Sequence, residues 1–513
     1  MTDAFVPPPP SYSPILVSTG IRTSAGRTPD KVALTYGDAR LTFRRFVDRI
    51  DRVCGMTKDL FRLERGQTAA IVAANCIEFM EIICGLSDMG VPVAMLNPKQ
   101  TPAEIGFILN DCGARVVFVT PDTEESVRAA DAPSVERIVV VGKDYEGLLS
   151  NARPATTLPA IQEWEPFSIP YTSGTTGKPR GVTLPHRSRV MNFFGMAVEY
   201  GCYSPVDHYL AHAPLFHGGG YAFAHAAVFF GGSCEILSRF DAELVLAKMH
   251  ETPVTGTFMV PTHFHAMFAL DKKIRDRNRG FPLKTIISNA APLPQRTKEL
   301  IVEYFGEGIL HETYGSTEAA VVTNLRPEDQ LRKQQCVGKA FVCTHIELRD
   351  DDGKPVKQGD VGELWSTSPY LFNGYWKNPE ATKVSLRDGW VSAGDVARMD
   401  DEGYIYIVDR KKDMFISGGV NVYPREIEEQ LFRIPGVKEA AVVGMPDDYW
   451  GETGCAFVVT QPGAKVSADD VLNYCRDKLA GYKVPKAVSF IDALPRNAAG
   501  KVLKTDLRKR GTA

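Results

Sequence analysis

The chain has 513 residues, 44% of them hydrophobic and 24% charged, with a formal net charge of −3. This composition is ordinary for a globular protein and provides no basic surface field, so we expect no nucleic-acid partner. The length is too great for one hydrophobic core and predicts about two to four structural units. The expected partner is therefore a small molecule.

The N-terminus, the cysteines and the longest apolar run bear on the cellular compartment. MTDAFVPPPPSY (1–12) has neither a basic nor an apolar signal-peptide region and predicts an extended arm. Ten cysteines are scattered singly, without zinc-site spacing, which predicts reduced, buried thiols. The uncharged run 209–234 contains Pro214 and three histidines, which favours a buried segment lining a cavity over a membrane span. Together these features predict a cytoplasmic protein without a membrane span.

The first half of the chain alternates strand and helix patterns. Buried strands are predicted at 68–75, 91–96, 114–120 and 137–142, and helices at 76–89 and 101–113. The second helix has a clear start, because Thr101 is a suitable cap, Pro102 stands at the first helical position and Glu104 completes a capping box. This alternation predicts a parallel α/β sheet.

After about Glu318 the pattern changes to short alternating strands, IELRD, GELWSTS and YIYIVDR, separated by turn clusters. They predict a small antiparallel, barrel-like subdomain. Mixed α/β patterns return after residue 413, where Pro424 opens one amphipathic helix and a second carries Leu472, Cys475 and Leu479. The predicted fold class is thus α/β, with a large N-terminal domain of parallel α/β subdomains, the barrel-like subdomain and a small C-terminal α+β domain.

The segment YTSGTTGKPRG (171–181) is a turn rich in Ser, Thr and Gly that follows a short strand. Such a turn can present backbone N–H groups and hydroxyls to phosphate oxygens. Its spacing differs from a Walker A loop, because only Thr175 and Thr176 separate Gly174 from Gly177, and Pro179 follows the lysine. On these residues alone, a phosphate loop and a flexible polar surface loop both remain open.

This segment resembles the signature loop of the ANL superfamily of adenylate-forming enzymes, although Arg180 stands where the family usually has Lys. The superfamily comprises acyl-CoA and aryl-CoA synthetases, peptide-synthetase adenylation domains and luciferases. Four further segments resemble its motifs in the same order and extend the resemblance from about residue 30 to 504: SNAAPLP (288–294), HETYGSTEAA (311–320), the stretch 388–429 and PRNAAGKVLK (495–504).

The resemblance implies a site for ATP and Mg²⁺. Tyr314 would stack on adenine, Thr317 would meet the phosphate, Glu318 would bind magnesium, and Asp395 and Arg410 would hold the ribose hydroxyls. The implied catalytic residues are Lys501, Thr175, Glu318 and His217. The implied ATP- or AMP-binding residues are Thr172, Ser173, Gly174, Thr175, Thr176, Gly177, Lys178, Asn289, Ala290, Ala291, Pro292, Glu312, Thr313, Tyr314, Gly315, Ser316, Thr317, Asp395, Ile407, Arg410 and Lys501.

The resemblance also implies a second step that uses coenzyme A. An N-terminal AMP-binding domain (1–411, with the barrel-like part at about 320–411) would be followed by a mobile C-terminal domain (412–513). This second domain would rotate about a hinge near Lys412 after adenylation. Gly418 and Gly419 would line a narrow pantetheine tunnel, where the absence of side chains leaves room, and Lys483 would contact coenzyme A.

The acid-binding pocket is implied by the family segment around APLFHGGGYAFAHAAVFFGG. The implied pocket residues are Phe216, His217, Gly218, Tyr221, Val260 and Gly315. Nothing resembles an Arg or Lys placed for a second carboxylate, and aromatic residues including Phe193, Phe194, Phe223 and Phe258 suggest an apolar tail or ring. An aryl acid and a medium-chain fatty acid both remain open.

These features predict an AMP-forming carboxylate–CoA ligase, with the acid, ATP and coenzyme A as partners. One alternative within the superfamily is an adenylation enzyme that loads a carrier-protein pantetheine. Another is a luciferase-like oxygenase that uses the adenylate. A Walker-type ATPase would instead release ADP and inorganic phosphate. A monomer and a homodimer both remain possible.

Overall fold

The computed structural model describes residue 9 and residues 11–173, 179–496 and 502–511. The chain divides into two compact units. Unit 1 consists of Met1–His345 and Ser366–Val391, and unit 2 consists of Ile346–Trp365 and Ser392–Ala513.

Helices in the described residues, in chain order, are α1 (Thr19–Arg27), α2 (Phe43–Gly55), α3 (Glu78–Asp88), α4 (Pro102–Cys112), α5 (Glu124–Arg128), α6 (Tyr145–Asn151), α7 (His186–Tyr200), α8 (Gly218–Phe229), α9 (Ala242–Glu251), α10 (Pro261–Phe268), α11 (Lys272–Arg277), α12 (Gln295–Phe305), α13 (Pro379–Ser385), α14 (Pro424–Leu431), α15 (Ala468–Lys478) and α16 (Lys504–Gly511). A π-helical turn (Met56–Leu60) follows α2, and short 3₁₀ turns occur at Pro327–Asp329 and Gly481–Lys483.

Strands in the same residues are β1 (Val32–Tyr36), β2 (Ala39–Thr42), β3 (Thr68–Val72), β4 (Val93–Leu96), β5 (Ala114–Val119), β6 (Arg137–Val140), β7 (Pro166–Ser168), β8 (Tyr171–Ser173), β9 (Pro179–Pro185), β10 (His208–Ala211), β11 (Ser233–Ile236), β12 (Gly256–Met259), β13 (Thr285–Ser288), β14 (Leu310–Ser316), β15 (Ala320–Leu325), β16 (Lys339–Ala340), β17 (His345–Arg349), β18 (Val361–Thr367), β19 (Gly374–Tyr375), β20 (Leu386–Arg387), β21 (Trp390–Val391), β22 (Asp395–Met399), β23 (Ile405–Arg410), β24 (Phe415–Ser417), β25 (Val420–Val422), β26 (Val437–Asp447), β27 (Gly451–Thr460) and β28 (Ala487–Phe490).

One sheet of unit 1 has the strand order β19-β9-β7-β4-β3-β5-β6, and β8 pairs with β9. Its centre is parallel, because β3 pairs in parallel with β4 and β5, and β5 with β6. Every residue of β3 is buried, as expected for a parallel strand covered on both faces. The capping box predicted at the start of α4 is confirmed, with Thr101 accepting from the Glu104 amide at 3.3 Å and Glu104 accepting from the Thr101 amide at 2.8 Å.

The other large sheet of unit 1 has the order β16-β15-β14-β13-β12-β10-β11-β1-β2. Its middle strands are parallel: β11 pairs with β10, β10 with β12, β12 with β13, and β13 with β14. Parallel neighbours end at the same edge of a sheet, so the loops after β12, β13 and β14 emerge side by side. An apolar core that includes Met259, Phe264 and Ile301 lies against this sheet.

Unit 2 contains two groups of strands. β17 and β22 both pair with β18, and β23 pairs with β22; the β18–β22 and β22–β23 pairings are antiparallel. The second group has the order β25-β24-β27-β26, with β28 parallel to β27. Helices α14 and α15 cover it with buried residues such as Ile427, Leu431 and Val471. The predicted α/β class, with antiparallel strands and a small C-terminal α+β part, is confirmed.

Two sequence expectations can be compared with burial. The apolar run 209–234 forms β10, α8 and part of β11, and no helix within the described ranges is both long and apolar enough to cross a membrane. Nine of the ten cysteines are buried as predicted, but Cys343 is exposed. The prediction of buried thiols is wrong for Cys343 because the residue lies outside any strand or helix, with a positive φ of 59°.

Candidate active site

The predicted phosphate loop connects β8 to β9. Residues 174–178 (Gly174, Thr175, Thr176, Gly177 and Lys178) lie outside the described residues. The strands on either side pair antiparallel, with Thr172 opposite Arg180 and Tyr171 opposite Gly181. The Tyr171 hydroxyl donates to the Asp111 carboxylate at 2.5 Å. The two ends of the loop are therefore held together at the edge of the sheet.

The two segments predicted to contact adenine lie next to each other. The first segment begins at the end of β13, and the second lies mainly in β14. These two strands are parallel neighbours, with Ser288 opposite Glu312. The Asn289 amide donates to the Thr313 hydroxyl at 2.8 Å across this gap. The next residue, Ala290, has a φ of +75°, which is rare for a residue with a side chain and marks a tightly constrained turn. Ala291 and Pro292 continue this turn.

A buried ion pair helps to hold this turn in place. Lys298, on α12, is fully buried and pairs with the Glu312 carboxylate. The other Glu312 oxygen accepts from the Leu293 amide at 3.3 Å. Glu312 is one of the predicted nucleotide-binding residues. Its carboxylate also fixes the position of the 289–293 loop relative to β14.

The β14–β15 hairpin brings Tyr314, Gly315, Ser316, Thr317 and Glu318 to the edge of the sheet. The chain is tightest at Gly315, where an added Cβ would lie 1.9 Å from the Ala320 carbonyl oxygen. A side chain at this position would require the hairpin to open. At its tip, the Ser316 hydroxyl accepts from the Ala319 amide at 3.1 Å. The hairpin therefore has a defined shape that presents Glu318.

Glu318 is held by the segment 372–375. Its backbone carbonyl accepts from the Phe372 amide at 2.9 Å, and its carboxylate accepts from the Tyr375 hydroxyl at 2.8 Å. Burial and the adjacent carboxylate raise the pKa of Tyr375, so the phenol stays protonated and donates. No basic side chain in the described parts of the chain pairs with Glu318. An oxygen donor whose charge is not compensated by a cation fits Mg²⁺, which prefers carboxylate ligands.

The residues predicted for the acid pocket lie on two sides of α8. His217 precedes the helix and its ring lies 4.5 Å from that of Phe216; burial lowers the pKa of His217, which favours the neutral imidazole. On one side of α8, the Phe223 ring stacks on Phe258 with centroids 4.8 Å apart.

Gly219 faces the same stack, because an added Cβ would lie 3.5 Å from the Phe258 ring. Tyr221 lies elsewhere, buried with its ring 6.2 Å from Phe167 and 5.0 Å from His225. Val260 directly follows β12, and Gly315 lies in β14. These two strands lie on either side of β13.

In unit 2, Asp395 and Arg410 occupy opposing positions on β22 and β23. The Arg410 Nε lies 3.2 Å from an Asp395 carboxylate oxygen, and the side chains are 7% and 38% exposed for Asp395 and Arg410, respectively. The sequence predicted both residues as a ribose-binding pair, and the hairpin brings them together. Ile407 lies in the same strand as Arg410, opposite Ala397.

The residues after Arg410 differ in their partners. The Lys411 ammonium lies 2.8 Å from Asp351 and 3.0 Å from Glu363. Lys412, the predicted hinge residue, has its pKa lowered by burial. Asp409 accepts from the backbone amides of Arg410 and Arg425, at 2.7 and 2.9 Å. The residues directly before Lys412 are therefore held by ion pairs and hydrogen bonds.

Gly418 and Gly419 form the turn between β24 and β25, with φ values of +58° and +79°. The Gly418 amide donates to the Trp450 carbonyl at 2.8 Å, and an added Cβ at Gly418 would lie 2.7 Å from the Trp450 ring. The third residue predicted for coenzyme A, Lys483, donates to both oxygens of Glu426, at 2.8 and 2.7 Å. Lys501 lies outside the described residues.

Comparison with known proteins identifies the family. The AMP-binding enzyme family matches residues 21–376, and the AMP-binding enzyme C-terminal domain matches residues 426–501. The chain belongs to the AMP-binding enzyme family. Within this family it is an AMP-forming acid–CoA ligase, which activates a carboxylic acid as its adenylate.

Two curated relatives illustrate the similarity. Feruloyl-CoA synthase from Amycolatopsis sp is 34% identical over 501 residues, which cover 95% of this chain and 97% of the relative. The 2-succinylbenzoate–CoA ligase of Bacillus cereus (strain Q1) is 31% identical over 488 residues, covering 94% of this chain and 96% of the relative.

Solved structures with a similar fold contain nucleotide. ATP-bound MatB from Rhodopseudomonas palustris has a TM-score of 0.87 at 28% identity, covering 97% of this chain and 99% of that one. The o-succinylbenzoate CoA synthetase of Bacillus subtilis, in complex with ATP and a magnesium ion, has a TM-score of 0.85 at 28% identity, covering 95% and 98%.

Sequence reasoning missed four residues beside the AMP-binding enzyme motifs. Tyr375 contacts Glu318, and Lys298 contacts Glu312, as described above. Trp450 lies against the Gly418 turn, and the Lys486 ammonium is 5.9 Å from its ring centroid. A signal for Trp450 was available, because DDYWGE places two aromatic residues in a polar stretch. Nothing local in the sequence indicated the partners of Tyr375 and Lys298.

Proposed function

We propose that this ligase converts an aryl or medium-chain fatty acid to its coenzyme A thioester through an acyl-adenylate, and that an aryl acid is the better substrate. The stacked rings of Phe223 and Phe258, facing Gly219, carry this proposal, since a flat aromatic substrate packs well against an aromatic surface. The names of the feruloyl and succinylbenzoate relatives support an aryl acid.

In the first half-reaction, a carboxylate oxygen of the acid attacks the α-phosphorus of ATP, and the bond to the β-phosphate oxygen breaks to release pyrophosphate. Two unit negative charges 4 Å apart repel by about 4 kcal/mol at an effective dielectric near 20. Cationic groups next to the reacting oxygens are therefore essential. We assign Lys501 and, through the phosphate loop, Lys178 and Arg180 to this task.

We assign Glu318 to hold Mg²⁺, which, when bound, neutralises charge on the phosphate oxygens. The Asn289–Thr313 contact and the buried Glu312–Lys298 pair fix the adenine-facing turn, while Tyr314 supplies the stacking ring. We assign Asp395 to accept hydrogen bonds from the ribose hydroxyls, with Arg410 fixing its orientation.

In the second half-reaction, the thiolate sulfur of coenzyme A attacks the acyl carbon, and AMP leaves with the pair of electrons from the C–O bond. We propose that Gly418 and Gly419 line the path of the pantetheine arm and that Lys412 is the hinge of a rotating C-terminal domain (412–513). The ring of Trp450, with Lys486 above it, is suited to the nucleotide portion of coenzyme A.

A pyrophosphate-release screen tests the proposal. Aryl, short-chain, medium-chain and long-chain acids are compared with and without coenzyme A, and the thioester is identified by mass. We expect AMP, pyrophosphate and an acyl-CoA, with the highest kcat/KM for an aryl acid. A product loaded only onto a carrier protein, or oxygen-dependent light emission, would favour the alternatives. The best kcat/KM with an alkyl acid would overturn the aryl preference alone.

Introducing bulk next to the aromatic stack tests the pocket assignment. Gly219→Val places methyl groups toward Phe258 and should reduce kcat/KM for aryl acids more than for short alkyl acids. Gly147→Val is the matched control, since no atom lies within 4 Å of a Cβ at that helical position. Equal loss for all acids in Gly219→Val would remove the support that the stack gives to an aryl substrate.

A further inference from the structure

Tyr375 stands where three features of unit 1 meet. It lies on β19, which pairs antiparallel with β9, and Tyr375 is opposite Val182. The Trp376 amide donates to the Gly181 carbonyl at 2.8 Å. The backbone of Tyr375 is therefore fixed on the strand that leaves the phosphate loop.

The tyrosine contacts Glu318 through its hydroxyl. The 2.8 Å hydrogen bond engages one carboxylate oxygen, Oε1. The Phe372 amide holds the backbone carbonyl of the same residue at 2.9 Å. Two contacts from one short segment thus fix both the position and the rotation of Glu318.

The ring of Tyr375 has a second partner. The Arg180 guanidinium carbon lies 5.7 Å from the ring centroid, within range of a cation–π interaction. The Phe372 ring also packs against the Tyr375 ring, with centroids 5.2 Å apart in a T-shaped arrangement. One side chain therefore contacts both the carboxylate assigned to magnesium and the last basic residue of the phosphate loop.

The chemistry of the hydroxyl suits this position. A phenol donates a hydrogen bond but carries no positive charge, so it orients the carboxylate without neutralising it. A lysine or arginine in its place would compete with a metal ion for the same charge. Groups that hydrogen-bond a metal-ligating carboxylate commonly change metal affinity or activity about 10- to 100-fold when they are removed.

We infer that Tyr375 is a positioning residue that orients Glu318 for the magnesium of Mg–ATP through its hydroxyl and steadies Arg180 through its ring. This inference rests on the proposed role of Glu318. It adds a residue that the sequence motifs did not indicate, and it accounts for an arginine at position 180, whose planar guanidinium packs on an aromatic ring better than an ammonium does.

The test measures cation binding directly. Full-length enzyme is titrated with Mn²⁺ in the presence of the α,β-methylene analogue of ATP, and free Mn²⁺ is quantified by electron paramagnetic resonance. Tyr375→Phe, which keeps the ring and removes the hydroxyl, should weaken Mn²⁺ binding about tenfold. Tyr370→Phe is the matched control: its hydroxyl donates to the Val342 carbonyl at 2.6 Å, and Mn²⁺ binding should stay as in the unmodified enzyme.

Two further variants separate the hydroxyl from the ring. Tyr375→Leu should weaken Mn²⁺ binding as Tyr375→Phe does and should also raise the KM for ATP, because Arg180 loses its aromatic partner. Replacement of Tyr375 by 4-aminophenylalanine restores a donor on the ring and should return Mn²⁺ binding to within about threefold of the unmodified enzyme, a rescue that hydrogen-bond energies permit. It also provides a folded comparison if Tyr375→Phe loses its cooperative thermal transition.

The outcomes distinguish this inference from the proposed function. Unchanged Mn²⁺ binding in Tyr375→Phe, together with weakened binding in Glu318→Gln, would overturn the role of Tyr375 alone. Equal weakening in Tyr375→Phe and in the 4-aminophenylalanine variant would also overturn it, because the donor would then be irrelevant. Unchanged binding in Glu318→Gln would instead refute the metal assignment on which the inference rests.

Discussion

Glu318 in unit 1 and Asp395 in unit 2 are both largely buried carboxylates, yet they have different partners. Glu318 accepts a hydrogen bond from the neutral phenol of Tyr375 at 2.8 Å. Asp395 is paired with the guanidinium of Arg410 at 3.2 Å. Among the residues that the structure describes, no cationic side chain pairs with the Glu318 carboxylate, whereas the Asp395 carboxylate is paired with a guanidinium.

This difference matches the ligands we assign to them. A carboxylate without a cationic partner attracts a divalent cation, because the ion supplies the missing positive charge. A carboxylate balanced by arginine remains a hydrogen-bond acceptor of fixed orientation, which suits neutral hydroxyl groups such as those of ribose. We therefore propose that the partner of each carboxylate, rather than the carboxylate itself, separates a metal ligand from a sugar ligand.

The largest expected effect concerns the positive charge that neither carboxylate provides. Lys501→Ala should reduce adenylation about 10²- to 10³-fold, the usual cost of losing one preorganised donor at a reacting oxygen. Thioester formation from preformed acyl-adenylate should be preserved. Both half-reactions are measured separately, by pyrophosphate release and by thioester formation. Lys504→Ala is the control, since Lys504 pairs with Glu428 at 2.8 Å and should affect neither step. An equal loss in both half-reactions would contradict the assignment of Lys501 to adenylation.

Removing the charge of Glu318 tests its assignment as the magnesium ligand. Glu318→Gln removes a charged contact of about 2 to 3 kcal/mol, which should raise the half-saturating Mg²⁺ concentration about 30- to 150-fold. The KM for the acid should change little. Measurement is by initial rate of pyrophosphate release over a Mg²⁺ series at fixed ATP. An unchanged Mg²⁺ requirement would show that the absence of a cationic partner does not mark a metal ligand here.

Asp395→Asn tests the assignment of Asp395 to the ribose hydroxyls. The variant should raise the KM for ATP about tenfold, in line with about 1.5 kcal/mol for a hydrogen bond to a charged group, and leave the Mg²⁺ requirement unchanged. Asp409→Asn is the matched control, because Asp409 holds the Arg410 and Arg425 amides and should affect thermal stability rather than the KM for ATP. A shift of the Mg²⁺ requirement in Asp395→Asn would erase the distinction between the two carboxylates.

The sequence was sufficient for features set by local patterns. The box formed by Thr101 and Glu104 depends on residues three positions apart, and the buried strand β3 is a short run that is apolar after Thr68. The resemblance to the family motifs indicated Glu318 and the pair Asp395 and Arg410. In each case the signal is either short in range or carried by a linear motif.

Contacts between distant segments could not be predicted in this way. Tyr375 and Glu318 are 57 residues apart, and their contact depends on β19 pairing with β9. The exposure of Trp450 next to Gly418 depends likewise on the packing of two separate turns. The aromatic stack of Phe223 and Phe258 joins α8 to β12. Sequence patterns indicated each element but not which side chains the pairing would bring together.

The smallest expected effect concerns the glycine turn that we assign to the second half-reaction. Gly418→Ala adds a Cβ that would lie 2.7 Å from the Trp450 ring at a φ of +58°. The turn or Trp450 must shift to relieve this clash, so thioester formation should slow about 5- to 30-fold, equivalent to about 1 to 2 kcal/mol, while pyrophosphate release without coenzyme A stays unchanged. Gly463→Ala is the control: its φ is +79° and its Cβ would meet no atom within 4 Å, so it carries the same backbone cost without a clash. If both variants slowed thioester formation equally, the effect would be one of stability, and the assignment of Gly418 to the path of coenzyme A would fail.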